Sequence, residues 1–252
     1  MKSATHLTQH RPIKEEVFEI LHQRIIAGEY AAGQWLRQED IASRIGVSMT
    51  PVREALDLLV SAGLAERVPY RGVRVRELSH EEIAEAYGMW LLLECAAARA
   101  AAMRISLEQV QALSGIVDEL QNQVTLNDMS RARQLSREFH LSIVRASGDT
   151  LLAKSYSVVV NSFPDWMLYE AMFRHPELLA ASLAEEQKEH RAIVTALANG
   201  DADAAAHKAM QHILHMGTDM EQLLGIPGEK LRAKERWVMP LLNERPAGDT
   251  VA

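Results

Sequence analysis

Residues 46–64 read GVSMTPVREALDLLVSAGL. Gly46 suits the end of one helix and Ser48 the cap of the next. Pro51 fits a first helical turn, where its missing N–H has no intrahelical partner to lose. Leu56, Leu59 and Val60 follow as an inward stripe, and Gly63 stops the pattern, so a helix is expected over about residues 50–62. Its first turn carries Ser48, Thr50 and Arg53. Two hydroxyls that can bond phosphate and a guanidinium that can fork onto guanine O6 and N7 are the groups expected of a helix start lying against DNA.

Reading outward gives that helix a setting. Lys14 to Ala27 repeats apolar residues at Val17, Leu21 and Ile25 and ends at Gly28, which predicts a first helix. The run 28–36, GEYAAGQWL, reads as a turn and a short extended piece, and Gln38 to Ile45 as a second helix with Ile41, Ala42 and Ile45 inward. After the third helix, LAERVPY and GVRVREL are β-prone runs flanking Tyr70, Arg71 and Gly72, so a two-stranded wing is expected. Three short helices and a hairpin make a winged helix-turn-helix. In that unit the second helix of the turn offers its first residues to base edges in the major groove. Glycine at the wing tip allows Arg71-Gly72 a close approach to a minor groove.

These runs, G-x-Y-x-x-G-x-x-L, V-S-x-T-P-V-R-E-A-L and R-G-x-x-V in that order over about residues 13–77, resemble the DNA-binding domain of GntR-family bacterial transcription regulators. The resemblance implies DNA contacts from Arg37, Thr50, Arg53 and Gly72. The family usually has an arginine between the serine and the threonine; this chain has Met49. A methionine can pack on a thymine methyl, so the preferred operator should differ from that of arginine-bearing relatives.

Charge is unevenly placed. The net charge of −7 resolves into +1 over residues 1–78 and −8 over the remaining 174. A small DNA-binding unit needs one basic face rather than a basic total. The single cysteine, Cys95, excludes a disulfide framework. No secretory signal is visible at the N-terminus, and no apolar run approaches the ~20 residues of a membrane span. A cytoplasmic protein without a membrane partner is expected.

From Ser79 the helical period dominates. Caps and stops divide the chain into helices over about 79–103, 106–124, 130–146, 150–163, 176–198 and 201–225, with broad apolar faces that predict an all-α bundle. The expected organisation is therefore mainly α: a winged helix-turn-helix over 11–78, a bundle over 79–225 and a polar tail over 226–252 with one short helix near 229–242. Three histidines lie on mostly apolar stripes of three different helices. His140 goes with Ala132, Ser136 and Ile143; His190 with Leu183, Glu186 and Ile193; His212 with Ala205, Ala209 and Met216. Such a set points to a metal or anion site. His207 and His215 fall on a polar face, and His6, His10, His22, His80 and His175 read as surface or loop residues.

The bundle, over about residues 79–223, resembles the FCD-type effector domain of the FadR-like branch of the GntR family, on LLLECAAARAAA, REFHLSIVRASGDTLL, EHRAIVTALANGDADAA and AMQHILHM. Many members of that branch hold a metal with one aspartate and three histidines and sense small carboxylates or acyl compounds beside it. The resemblance assigns His140, His190 and His212 as ligands of a divalent metal, Zn²⁺ first among candidates. The family aspartate position, four residues before the first histidine, is Ser136. Relatives often have an effector-binding arginine four residues before the Leu-Glu glutamate; here Trp90 stands four before Glu94. The expected effector pocket, with Trp90, Glu94, Ser136 and Asn161, is less charged and more aromatic than usual. Trp166, Met167, Tyr169 and Phe173 form either a lid or ordinary core and dimer packing.

The function expected is a homodimeric repressor on a palindromic double-stranded operator, controlled by a small-molecule effector such as a carboxylate. Two rivals remain: a metal-dependent hydrolase using the three histidines with Glu186 as base, and a regulator whose bundle only dimerises. The chain carries neither H-E-x-x-H nor G-x-S-x-G.

Overall fold

The computed structural model describes residues 12–26, 28–121, 129–162, 168 and 176–243. The chain divides after Glu77 into two compact units. In the first, α1 (Ile13–Ile26), α2 (Gln38–Ile45) and α3 (Met49–Ser61) precede an antiparallel hairpin of β1 (Ala65–Val68) and β2 (Gly72–Val75). The apolar stripes decide the packing. Val17, Leu21 and Ile25 of α1, Ile41 of α2, and Val52, Leu56 and Leu59 of α3 are buried together with Leu64, Val73 and Val75. The extended piece before α2 joins the wing: Leu36 N donates to Val73 O at 2.8 Å and Val75 N to Gln34 O at 2.9 Å. His22 departs from its expected surface position. It lies on the inner side of α1, 3% exposed, with its ring 5.7 Å from that of Phe18.

In the second unit α4 (His80–Ala102) is the central helix. Ser79 caps it through a reciprocal capping box with Glu82. Around α4 pack α6 (Met129–Ala146), α7 (Thr150–Ser162), α8 (Pro176–Ala198), α9 (Ala202–Leu224) and α10 (Gly228–Asn243), while α5 (Leu107–Gln121) lies on α6 and α8. Alanines 84, 97, 98, 101 and 102 are buried on α4 and let its neighbours approach closely. Cys95 is buried there as a free thiol, its pKa pushed up to about 12 by burial and then by the charge of Glu94, which leaves it protonated and inert.

Much of the stretch read as a polar tail is helical. Leu231 and Val238, seven residues apart on α10, are buried, and Tyr87 Oη donates to Glu235 Oε1 at 2.8 Å. Lys230 and Lys234 reach Glu81 on α4 at 2.6 and 3.2 Å. The short helix expected near 229–242 is thus present over Gly228–Asn243, and its narrow apolar stripe packs on α4.

The α4–α9 contact depends on Gly217, where a Cβ would meet Tyr87 Oη at 2.5 Å and its ring carbon Cζ at 2.8 Å. The tyrosine is fully buried and tied to Glu235, so it has little room to move. Gly217→Ala should destabilise the bundle by about 1–3 kcal/mol through overpacking. Chemical denaturation of the variant beside the parent chain checks this; equal midpoints would show that Tyr87 yields freely.

Candidate functional sites: a helix start and a buried histidine centre

α3 begins at Met49, after Ser48 in an extended N-cap conformation. The Ser48 side chain makes no capping hydrogen bond, contrary to the role expected of it, so its hydroxyl points outward uncommitted. Met49 is 47% exposed, and Thr50 and Arg53 are exposed beside it. Arg37, Arg71 and Gly72 line one open concavity with Trp35 and Gln38. Gly72 has φ of 115°, a value that side chains beyond glycine rarely tolerate, so the wing turn itself requires it. Tyr70 at the tip is fully exposed. Neighbouring basic groups are engaged: Arg67 pairs with Asp57, and Arg74 with Glu66 at 2.6 Å. Among the described residues no carboxylate pairs with Arg37, Arg53 or Arg71, which leaves three guanidiniums on the exposed surface of this unit.

In the bundle the three stripe histidines meet. His140 on α6, His190 on α8 and His212 on α9 are all buried, and each offers a ring nitrogen within 4.8 Å of the others'. Ring centroids are 5.1 Å apart for His140–His190 and His140–His212, and 4.7 Å for His190–His212. Two of the rings are oriented from behind. His140 Nδ1 lies 2.7 Å from Glu94 Oε1, and His212 Nδ1 lies 2.9 Å from Glu189 Oε2. These bonds leave Nε2 of each ring as the nitrogen available for a ligand. His190 differs: both of its nitrogens are buried and have no hydrogen-bond partner among the described residues.

Electrostatics follow from burial and these carboxylates. Burial alone would raise the Glu94 pKa, but His140 and the Tyr156 hydroxyl bonded to it outweigh that and hold it below the ordinary value. Burial likewise opposes the charged form of His140, yet the charge and hydrogen bond of Glu94 raise its pKa. His190 is depressed well below the usual value by burial, then by His212 and His140, so it is neutral and able to act as a ligand. An orphaned, neutral, buried imidazole between two oriented ones is a donor set that fits a divalent metal.

Trp90, Ser136, His140, His212, Glu186 and Met216 line a common cavity with Tyr156, Arg133 and Arg137. The two arginines, one turn apart on α6, and Glu186 are charged groups in the lining that the sequence reading, centred on Trp90, did not name. The cationic lining comes from α6, whereas α4 supplies Trp90, whose Nε1 donates to Glu94 Oε2 at 3.2 Å. Glu94 thus serves His140 and Trp90 from behind rather than opening onto the cavity. The side chain of Asn161, and Trp166, Met167, Tyr169 and Phe173, lie outside the described residues, as do His6, His10 and His175. Among the rest, His80 and His207 are exposed, as the sequence suggests. His215 is not on a separate polar face: its Nδ1 lies 3.1 Å from the same Glu189 oxygen that holds His212, and this bond raises its pKa. Tyr156 and Glu189 were missed. The spacing His212–His215 was the available signal, since residues three apart on a helix share a partner readily.

Comparison with known proteins identifies the two units. Residues 13–75 match "Bacterial regulatory proteins, gntR family", and residues 82–215 match "FCD domain". A protein of Paenarthrobacter nicotinovorans described as "Probable D-xylose utilization operon transcriptional repressor" is 28% identical over 201 residues, covering 80% of this chain and 85% of the relative. The "HTH-type transcriptional repressor RspR" of Escherichia coli (strain K12) is 26% identical over 226 residues, covering 88% and 95%. Among solved structures, E. coli McbR/YncC shares the fold with a TM-score of 0.62 at 21% identity, over 84% of this chain and 99% of that one. These relatives are regulators of transcription rather than enzymes, and no described helix is long and apolar enough to cross a membrane. A winged helix-turn-helix followed by an FCD bundle makes this chain a GntR-family transcription regulator.

Proposed function

We propose that the chain is a homodimeric repressor that reads a palindromic double-stranded operator and releases it when a small anionic effector, a carboxylate, enters the bundle cavity. The observation carrying the effector reading is the cavity itself, which is lined by His140, His212, Arg133 and Arg137, with buried His190 beside the two imidazoles. Guanidinium forks match carboxylates in shape and charge. His140, His190 and His212 would hold a divalent metal, Zn²⁺ being best suited to imidazole donors. Such an ion supplies an electrophilic anchor for an effector oxygen. The protein's own part is orientation: Glu94 and Glu189 fix the rings, and α6 presents the two arginines. Occupation of a cavity bounded by α4, α6, α8 and α9 can then shift the bundle and, through its dimer, the spacing of two reading heads.

On the DNA side, Ser48, Thr50, Arg53 and Met49 would meet the major groove, with Arg37, Arg71 and Gly72 on the backbone and minor groove. Selection from a random operator pool at fixed salt tests this. Arg53→Ala should lose about 1–3 kcal/mol of specific binding and relax one base position. Met49→Arg should shift the selected pool toward guanine at the contacted step. Identical pools from all three proteins would show that the start of α3 does not face the bases.

A further inference from the structure

We propose that Glu186 is a fourth protein ligand, and the anionic one, of a divalent cation held by His140, His190 and His212. The proposal rests on the reading of the three histidines as a metal centre.

Glu186 lies on α8 one turn before His190 and is 8% exposed. It lines the cavity that His140 and His212 also line. Its Oε1 is 3.8 Å from His190 Nε2. That is beyond a hydrogen bond, and His190 has no other polar partner among the described residues. A buried imidazole with no hydrogen bond, beside a buried carboxylate it does not reach, is a costly arrangement. A cation bound between them would resolve it, because two atoms each about 2.0–2.2 Å from one ion stand roughly 3–4 Å apart. Glu186 is not among the groups whose ligand atoms already lie within 4.8 Å of one another, so its side chain would close onto the ion by rotation.

Ser136 gives the carboxylate its direction. Its Oγ, on α6, donates to Glu186 Oε1 at 3.0 Å. A neutral hydroxyl orients the carboxylate without neutralising it, so its charge stays available to a cation. The charge itself has a purpose. Three neutral imidazoles leave a buried dication with its full charge, whereas one carboxylate halves it and lowers the cost of burial. The other two nearby carboxylates are already committed. Glu94 is bonded to His140 Nδ1 and Trp90, and Glu189 to His212 and His215, each on the far side of a ring from the common point.

The test uses the full chain, stripped with a chelator and titrated with Co²⁺ as an optical probe. The parent should bind one Co²⁺ per chain with a visible ligand-field spectrum. Glu186→Gln, which keeps size and hydrogen bonding, should weaken Co²⁺ binding at least about tenfold and change the band positions and intensities. Ser136→Asp added to that variant places a carboxylate on the neighbouring helix beside the same point, and should restore both affinity and spectrum; an unfolded variant would not be restored. If Glu186→Gln binds Co²⁺ with the parent's affinity and spectrum while His190→Ala does not bind it, the histidine centre stands and Glu186 is not a ligand. If the parent binds no Co²⁺, the metal reading and this inference fall together.

Discussion

Glu94→Leu is expected to destabilise the bundle by about 3–5 kcal/mol, the cost of removing one partner of a buried charge pair. Glu94 is fully buried and receives three groups: His140 Nδ1 at 2.7 Å, Trp90 Nε1 at 3.2 Å and the Tyr156 hydroxyl. Leucine fills a similar space but accepts from none of them. His140 also loses the charge that raises its pKa, so burial then dominates and favours its neutral form. For a unit of this size the melting temperature should fall on the order of 10 °C. Calorimetry of the metal-free chain measures it. A change under about 1 kcal/mol would mean that the three donors find other acceptors and that Glu94 does not hold this layer together.

The same residue shows what was and was not legible in the sequence. The Leu-Glu pair marked Glu94 as a site residue, but the helical period gives the face of a residue and not its partners. Whether Glu94 opened onto the cavity or backed His140 depended on the rotation of α6 against α4, which is set by packing between residues 46 apart in the chain. Tyr156 was hidden for the same reason: nothing in the local pattern of α7 distinguishes it from a core aromatic. His140, His190 and His212 were legible because each sits on an apolar stripe, where a polar side chain needs a reason to be. The helix-turn-helix was legible almost throughout, since its turns carry their own chemistry in Gly46, Pro51, Gly63 and Gly72. The uncommitted Ser48 hydroxyl was not, because a serine before a helix predicts a cap whether or not the bond is made.

His190→Leu should change stability in opposite directions with and without metal. In the chelated chain the parent has two buried nitrogens without partners among the described residues, on a ring packed 4.2 Å from that of Phe139. An unsatisfied buried polar group costs about 1–3 kcal/mol. Leucine removes that cost and, being near in volume on a stripe that already holds Leu183, Ile193 and Leu197, should repack for less than about 1.5 kcal/mol. The chelated variant should therefore equal the parent or exceed it by roughly 1 kcal/mol. With Zn²⁺ at about 100 times its dissociation constant the parent gains about 2.7 kcal/mol, because the ion binds the folded state. That raises its melting temperature by roughly 5–11 °C at ~2–4 °C per kcal/mol. The variant lacks one of the three proposed ligands and should show almost none of this rise, so the order of the two proteins should reverse between chelator and Zn²⁺. A variant less stable than the parent by the same amount in both conditions would identify His190 as an ordinary core residue. A reversal would mean that the cost of keeping an unpartnered imidazole in the core is retained for the sake of the ligand it binds, which is a trade that selection for folding alone would not keep.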